Sequence, residues 1–535
     1  MRKIAVLPLD ERPCNYQFNQ LLVKGTPYEV VAPELSILGD KKMKGDLDKI
    51  NAWVKEVAKD VDGMVIAVDT LVYGGIVPSR LHHDSIETLI DRLNVLKEIK
   101  DTYPNIKIYA YNLIMRNPKY SSADEEPDYY EYMGREIHLY GVYQHKQQLG
   151  ILSAEEEIHF NEIKQSINQE NLYDYIVRRD KNIAVNLAFL KLVEEGIIEF
   201  GIVPQDDSSP YGLTATDQIR VRKAIKDLNI ELTCYMYPGA DEVTNVLLAR
   251  MINNYENKQP LVYLHYASIT GGMQIPLYED RLLNETIKYQ VLAAGGILVS
   301  SMQEAELVLL VNVPATGMVE APRQNEPRLS YDADRNLIEY VEFANYALNK
   351  GKKVIIGDVA YGNGGDLNLL KLLRQKGLLM KISAYAGWNT SSNTLGTCIP
   401  QGMFDFLFPN RKENLDFLGL RYVEDFGYCS VVRSKVSKTL VEPNNYFLID
   451  GKHGLVVEQI KNELNAFIEK ELNGEYIFTI TDIYSPWNRM FETGLLVKVN
   501  EKNWFNFRWC ASYNIWSWKR HSKAINLFLP WLYRQ

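Results

Sequence analysis

The chain has 535 residues, 46% of them hydrophobic and 24% charged, with a formal net charge of −9. That is ordinary globular composition, long enough for a large core plus an appended domain. The acidic balance, with no Lys/Arg run interleaved with aromatics, argues against a nucleic-acid binder, and no apolar stretch reaches membrane-spanning length.

From Met1-Arg2-Lys3 the chain runs into Ile4-Ala5-Val6-Leu7-Pro8-Leu9, too short an apolar run for the core of a secretory signal. The five cysteines, Cys14, Cys234, Cys398, Cys429 and Cys510, are scattered and form no CxxC pair. Reduced thiols in a cytoplasmic protein are the expectation.

Along the chain, short runs rich in Val, Ile and Tyr alternate with segments of helical period, the rhythm of parallel α/β structure. Strands are predicted at 3–9, 64–68, 108–113, 199–203 and 232–237, then at 261–265, 297–300, 307–313, 354–356 and 381–385. Amphipathic helices are predicted at 85–100, 181–195, 216–227 and 241–253. The charged, mostly helical stretch 121–179 reads as an elaborated loop over the mouth of the strands. The expected fold for 1–402 is a TIM-like (β/α)8 barrel. The surplus of strands is assigned to an inserted or adjoining α/β segment near 255–305. A C-terminal α+β domain is expected over 403–535, with strand-like runs at 476–480 and 494–499.

Polar residues gather where predicted strands end. These ends carry Asp10 and Arg12; Asp69 and Tyr73; Arg116; Asp206, Asp207 and Tyr211; Asp241; Asp358 and Tyr361; and Trp388 with Asn389. In parallel α/β proteins the loops after the strands converge on one face, where substrates bind. Single Asp or Ser residues there also cap helices, but capping does not call for tyrosines, a tryptophan and paired glycines. A polar pocket with an aromatic floor, suited to a sugar ring, does.

Asp206-Asp207 is the sharpest feature. Adjacent strand residues point to opposite faces, so two acids share a ligand only where the strand stops, and Ser208-Ser209-Pro210-Tyr211-Gly212 supplies that stop. Two close carboxylates resist joint ionisation, which leaves a proton donor beside a carboxylate.

The segments Pro8-Leu9-Asp10-Glu11-Arg12-Pro13, Asp69-Thr70-Leu71-Val72-Tyr73-Gly74-Gly75, Gln205 to Gly212 and Gly387-Trp388-Asn389-Thr390 together resemble a bacterial family catalogued as domain-of-unknown-function family 4127, over nearly the whole chain. Locally, the Asp-Asp pair closing the fourth strand is similar to the catalytic pair of glycoside hydrolase family 84, the O-GlcNAcase-type enzymes. That resemblance implies that Asp206 polarises a 2-acetamido group, whose oxygen is the nucleophile, and that Asp207 is the general acid/base. It implies an exo-acting, retaining β-N-acetylhexosaminidase that needs no cofactor. Trp388 is then expected to stack on the pyranose, and Tyr73, Tyr211 and Tyr361 to bond the acetamido group or hydroxyls. Asp10, Arg12, Asp69, Asp241, Asp358 and Asn389 are candidates for the remaining hydroxyls. Trp487 is expected to be structural.

Other classes find less in the sequence. Strand-end aspartates suit a hard cation, so a metal-dependent hydrolase or deacetylase is the main alternative, although His82-His83 and His265 form no zinc motif. Gly362-Asn363-Gly364-Gly365 lacks both GxGxxG and a P-loop lysine, and no GxSxG is present. A non-catalytic sugar-binding protein would use the same lining. The expected partner is a small carbohydrate, and a homo-oligomer is compatible with the sequence.

Overall fold

The computed structural model describes residues 1–502; Cys510 and the rest of the expected C-terminal domain beyond 502 lie outside the described residues. All the strands predicted up to 385 form, but they do not close into one barrel. The first sheet comprises β1 (Arg2–Leu7), β2 (Tyr28–Val31), β3 (Gly63–Ala67), β4 (Lys107–Tyr111), β5 (Phe200–Gln205) and β6 (Cys234–Pro238). They lie in the order β2-β1-β3-β4-β5-β6, all parallel.

A second sheet is built from β7 (Leu261–Tyr266), β8 (Ile297–Val299), β9 (Leu307–Asn312), β11 (Lys353–Asp358) and β13 (Ala384–Ala386); β10 (Val319–Glu320) and β12 (Tyr361–Gly362) form a separate short ladder. Its order is β13-β11-β9-β7-β8, again all parallel. In both sheets the second strand lies outside the first and the chain then returns past the first to the third. This is the doubly wound, flavodoxin-like order.

The expected barrel is corrected by β2. It is only four residues long, Tyr-Glu-Val-Val between Pro27 and Pro33, and carries too little periodicity to announce itself. By pairing on the outer side of β1 it reverses the winding and leaves an open sheet with helices on both faces. The region near 255–305, expected as an excursion or as part of a second α/β lobe, opens the second sheet through β7 and β8. The helix expected at 85–100 is two helices, Ile86–Asp91 and Asn94–Thr102.

Alternation along the strands sets the core. Ile4, Val6, Val65 and Ala67 point into one apolar cluster, and Ala5, Leu7, Met64 and Ile66 into another on the opposite face. The first cluster continues into the second sheet. Helices Val243–Tyr255 and Ser391–Leu407 bridge the two, the former packing on β3 and β4, the latter on β11 and β13, and each on the other. Beyond them Lys412–Arg421 continues into a π-helical segment, Tyr422–Val432. A hairpin of β14 (Tyr476–Tyr484) and β15 (Gly494–Glu501) follows. Among the described residues no helix is long and apolar enough to cross a membrane.

Candidate active site

The carboxyl ends of both sheets face a cavity of about 380 Å³. From the first sheet come Arg12 after β1, Arg80 after β3, Arg116 after β4, Asp206 and Asp207 after β5, and Asp241 after β6. The second sheet supplies Asn363 and Asn389, and the loop joining the two strands of the hairpin supplies Arg489 and Phe491. The charged stretch 121–179 also reaches the cavity, through Ser122, Asp124 and Glu125. A larger depression, about 740 Å³, opens along the edge strand β6, but it does not collect the strand ends.

Four guanidiniums face five carboxyl groups in this lining, and each guanidinium is already engaged. Arg12 donates to Asp10 and Asp241, both at 2.6 Å, and lies over the indole of Trp487 at 4.4 Å. Arg80 donates to Asp206 at 2.6 Å and to Glu125 at 3.0 Å. Arg116 donates to Glu126 at 2.7 Å and to Asp207 at 3.2 Å, and pairs with Glu125. Arg489 donates to Asp124 at 2.8 Å and Glu492 at 2.9 Å, and also bonds Glu125. Buried charges persist when paired and hydrogen-bonded in this way.

The acids divide into two kinds. Burial works to raise Glu125, but Arg116, Arg489 and Arg80 outweigh it and hold its carboxyl well below the usual range. Burial and the neighbouring Asp206 push Asp207 up to about 7. Burial, opposed by Arg12, brings Asp241 to about 6. The site thus holds a protonatable carboxyl beside ion-paired carboxylates. Asp207 also adopts φ +33°, in the left-handed region where non-glycine residues are uncommon.

The family model described as "Protein of unknown function (DUF4127)" matches residues 4–495. The chain belongs to this family. No curated protein matches it.

In this DUF4127 chain, Arg12, Asp206, Asp207, Asp241 and Asn389 of the sequence-predicted site line the cavity, and Asp10 stands directly behind Arg12. The other predicted residues do not line it. Asp69 is buried, accepting from the Leu113 N–H at 3.0 Å and from Asn112 at 3.2 Å, and burial raises it to about 7. Asp358 is buried in the second sheet, where it accepts from the Asp366 N–H at 2.7 Å and the Tyr385 hydroxyl at 2.9 Å. Tyr73 stacks on His82 and Tyr361 on Tyr331. Trp388, expected to stack on a sugar, is 7% exposed; its indole N–H donates to Thr397 at 3.1 Å and its ring meets Phe18 edge-on. It is a core residue, and the cavity's aromatic wall is made by Tyr120, Tyr278, Tyr446, Phe447 and Phe491 instead. Tyr211 lines a neighbouring chamber.

Sequence reasoning missed Arg80, Glu125 and Arg489 altogether. Arg80 lies five residues past the glycine pair Gly74-Gly75 that follows β3, and the other two lie in loops that only tertiary packing brings to the strand ends. Trp487, expected to serve a separate domain, donates its indole N–H to Glu11 and lies beneath both Arg12 and Arg489. Burial pushes the Cys14 thiol well above its usual value, helped by Asp241, which disfavours a thiolate nucleophile there. Among the described residues no group of three or more His, Cys, Asp or Glu is arranged to hold a metal ion.

Proposed function

We propose that the protein is a glycoside hydrolase, an exo-acting β-N-acetylhexosaminidase that works by substrate-assisted, retaining catalysis without a cofactor. The observation carrying this reading is Asp207: a carboxyl raised to about 7, beside the ion-paired Asp206, in a cavity whose guanidiniums are already neutralised. A general acid is most effective with its pKa near the operating pH. A neutral, hydroxyl-rich ligand suits such a cavity, whereas an anion would have to displace a carboxylate from an arginine that already holds it.

In this mechanism the Asp207 carboxyl gives its proton to the glycosidic oxygen as the C1–O bond breaks. The carbonyl oxygen of the substrate's own acetamido group attacks C1 and closes an oxazoline ring. Asp206, fixed by Arg80, takes the N–H of that group and stabilises the charge it develops. Water then adds to C1 and gives its proton to the Asp207 carboxylate; the ring opens, and the stereochemistry at C1 is retained. Attack from within the substrate draws on the high effective molarity of a positioned group, worth on the order of several kcal/mol. Phe491, Tyr446 or Phe447 takes the stacking role once expected of Trp388. A cytoplasmic setting belongs to the same reading, supported by four free, buried cysteines among the described residues.

The test is hydrolysis of 4-methylumbelliferyl N-acetylglucosaminide, N-acetylgalactosaminide, glucoside and galactoside by wild type, Asp206→Asn and Asp207→Asn, with and without EDTA. Turnover confined to the 2-acetamido sugars, indifferent to EDTA and lost in both variants, is the expected result. Cleavage of plain hexosides would require a protein nucleophile instead. Activity removed by EDTA would replace this reading with a metal-dependent hydrolase, and no turnover at all would replace it with a sugar-binding protein.

A further inference from the structure

Asp207 does not sit inside one cavity; it stands in the wall between two. A second chamber of about 250 Å³ adjoins the first, and Tyr120, Asp207 and Tyr278 line both. The two sides differ in chemistry. Where the first is faced with ion-paired arginines and acids, the second is faced with Pro118, Tyr211, Leu213, Pro276 and Leu277. Its polar lining includes Lys119, His138, Ser208, Thr214 and Glu279, and part of it is committed within the fold. The Thr214 hydroxyl donates to the Met115 carbonyl at 3.3 Å, and Glu279 accepts from the Ser392 N–H at 2.7 Å and hydroxyl at 2.8 Å. Burial lowers the pKa of His138, whose Nδ1 lies 2.9 Å from the Asn117 carbonyl, so that ring is neutral near pH 7.

The partition is held in an unusual way. Asp207 at φ +33° and Tyr278 at φ +67° both occupy the left-handed region, which a bulky side chain such as tyrosine rarely adopts. The Ser208 N–H donates to the Tyr278 carbonyl at 2.8 Å, pegging the loop after β5 to the loop after β7 across the two sheets. The Tyr278 hydroxyl is bonded to Glu320, which also accepts from Asn363 at 2.9 Å. Backbone strain of this kind persists only where the surroundings over-determine it, and it gathers where chemistry is done. Here it places the acid on the boundary between a polar and an apolar chamber. Of the Asp207 carboxylate, one oxygen is held by Arg116, and the other takes no hydrogen bond from the described residues.

We propose that the substrate straddles this wall, with its sugar in the charged cavity, its leaving group in the second chamber, and the bond to be broken at Asp207. The leaving group is identified by its chemistry as a flat, largely apolar alcohol such as a substituted phenol. Tyr211 is its platform and Leu277 its far wall. At about 30 Å³ per liquid water the chamber offers the room of about eight waters, which suits one substituted ring rather than an extended oligosaccharide. The identity of the bond broken rests on the glycosidase reading above; the presence of an aromatic-binding chamber against Asp207 does not.

The experiment separates the two. Free 4-methylumbelliferone is titrated by fluorescence into full-length wild type, Tyr211→Ala, Leu277→Trp and Phe447→Ala, the last altering only the charged cavity. Loss of an aromatic face, or filling of the chamber, is expected to weaken binding about tenfold in the first two variants and to leave the third unchanged. In parallel, kcat/KM is compared for phenyl and methyl N-acetylglucosaminides; the phenyl advantage should shrink in Tyr211→Ala and Leu277→Trp. Failure of the phenol to bind, or equal binding to all four proteins, overturns the proposal even if glycosides are cleaved. A phenyl advantage untouched by both chamber variants overturns it as well. Chamber-dependent binding without cleavage of any glycoside supports the aromatic chamber and overturns the glycosidase reading.

Discussion

Asp207 combines a left-handed backbone, a neighbouring carboxylate and partial burial, and each bears on its proton. In its proposed role as general acid it would act in its protonated form, which is populated below a pKa of about 7 and lost as pH rises through it. The expected kcat profile therefore falls on the alkaline side near neutrality, and Asp207→Asn should flatten that limb while lowering kcat on poor leaving groups about 10²- to 10⁴-fold. A profile that keeps its alkaline limb in the variant would assign the limb to another group. Arg80 makes a prediction about stability. It is 2% exposed and joins Glu125, Glu126 and Asp206. Arg80→Met leaves Asp206 without its cation, while Arg116 and Arg489 still hold Glu125 and Arg116 still holds Glu126, and should cost about 3–5 kcal/mol in denaturant unfolding. At this scale the sequence was legible where a polar side chain directly follows a strand, as for Arg12, Asp206, Asp207 and Asp241. It was misleading where the same pattern serves the core: Asp69 and Asp358 accept backbone N–H groups, and Trp388 fills space, needs that also draw polar and aromatic residues to strand ends.

Two helices decide how the elements fit. Val243–Tyr255 and Ser391–Leu407 lie between the sheets, and the second is nearly all buried. Gly396 is at their crossing: a Cβ there would run into Cγ and Cβ of Glu242, itself buried and bonded to Gln290 at 3.1 Å. Gly396→Ala is therefore expected to destabilise the fold by about 1–3 kcal/mol through overpacking, measured by chemical unfolding. An unchanged midpoint would mean that the two helices part more easily than their packing implies. Strands were readable because most are short, continuous apolar runs, and central ones such as β3 and β9 are buried on both faces. The exception, β2, has four residues, and it alone carried the information that the first sheet winds both ways. Strand count therefore suggested a barrel where strand order makes two open sheets.

Across the molecule, the buried acids Asp69, Glu242, Glu279 and Asp358 make no ion pair among the described residues. Burial raises Asp69, Glu279 and Asp358 to about 7 and Glu242 to about 8, from ordinary values of 3.8 for Asp and 4.5 for Glu. The folded state binds these protons more tightly than the unfolded chain, so their contribution is fully present below about pH 4 and is lost as pH rises towards 8. Thermal unfolding should accordingly come at a higher temperature at pH 6 than at pH 8; the reverse order would mean that these acids are ionised in the fold. All six strands of the first sheet precede residue 256, and all of the second sheet follow residue 260. The exposed stretch Glu256-Asn257-Lys258-Gln259 is the passage from one to the other. So short a tether makes each half a captive ligand of the other, at an effective concentration on the order of millimolar. The cavity is then assembled at any dilution. Cut between Lys258 and Gln259, the halves would have to meet by diffusion, and the share of molecules with an assembled cavity would begin to depend on how much protein is present.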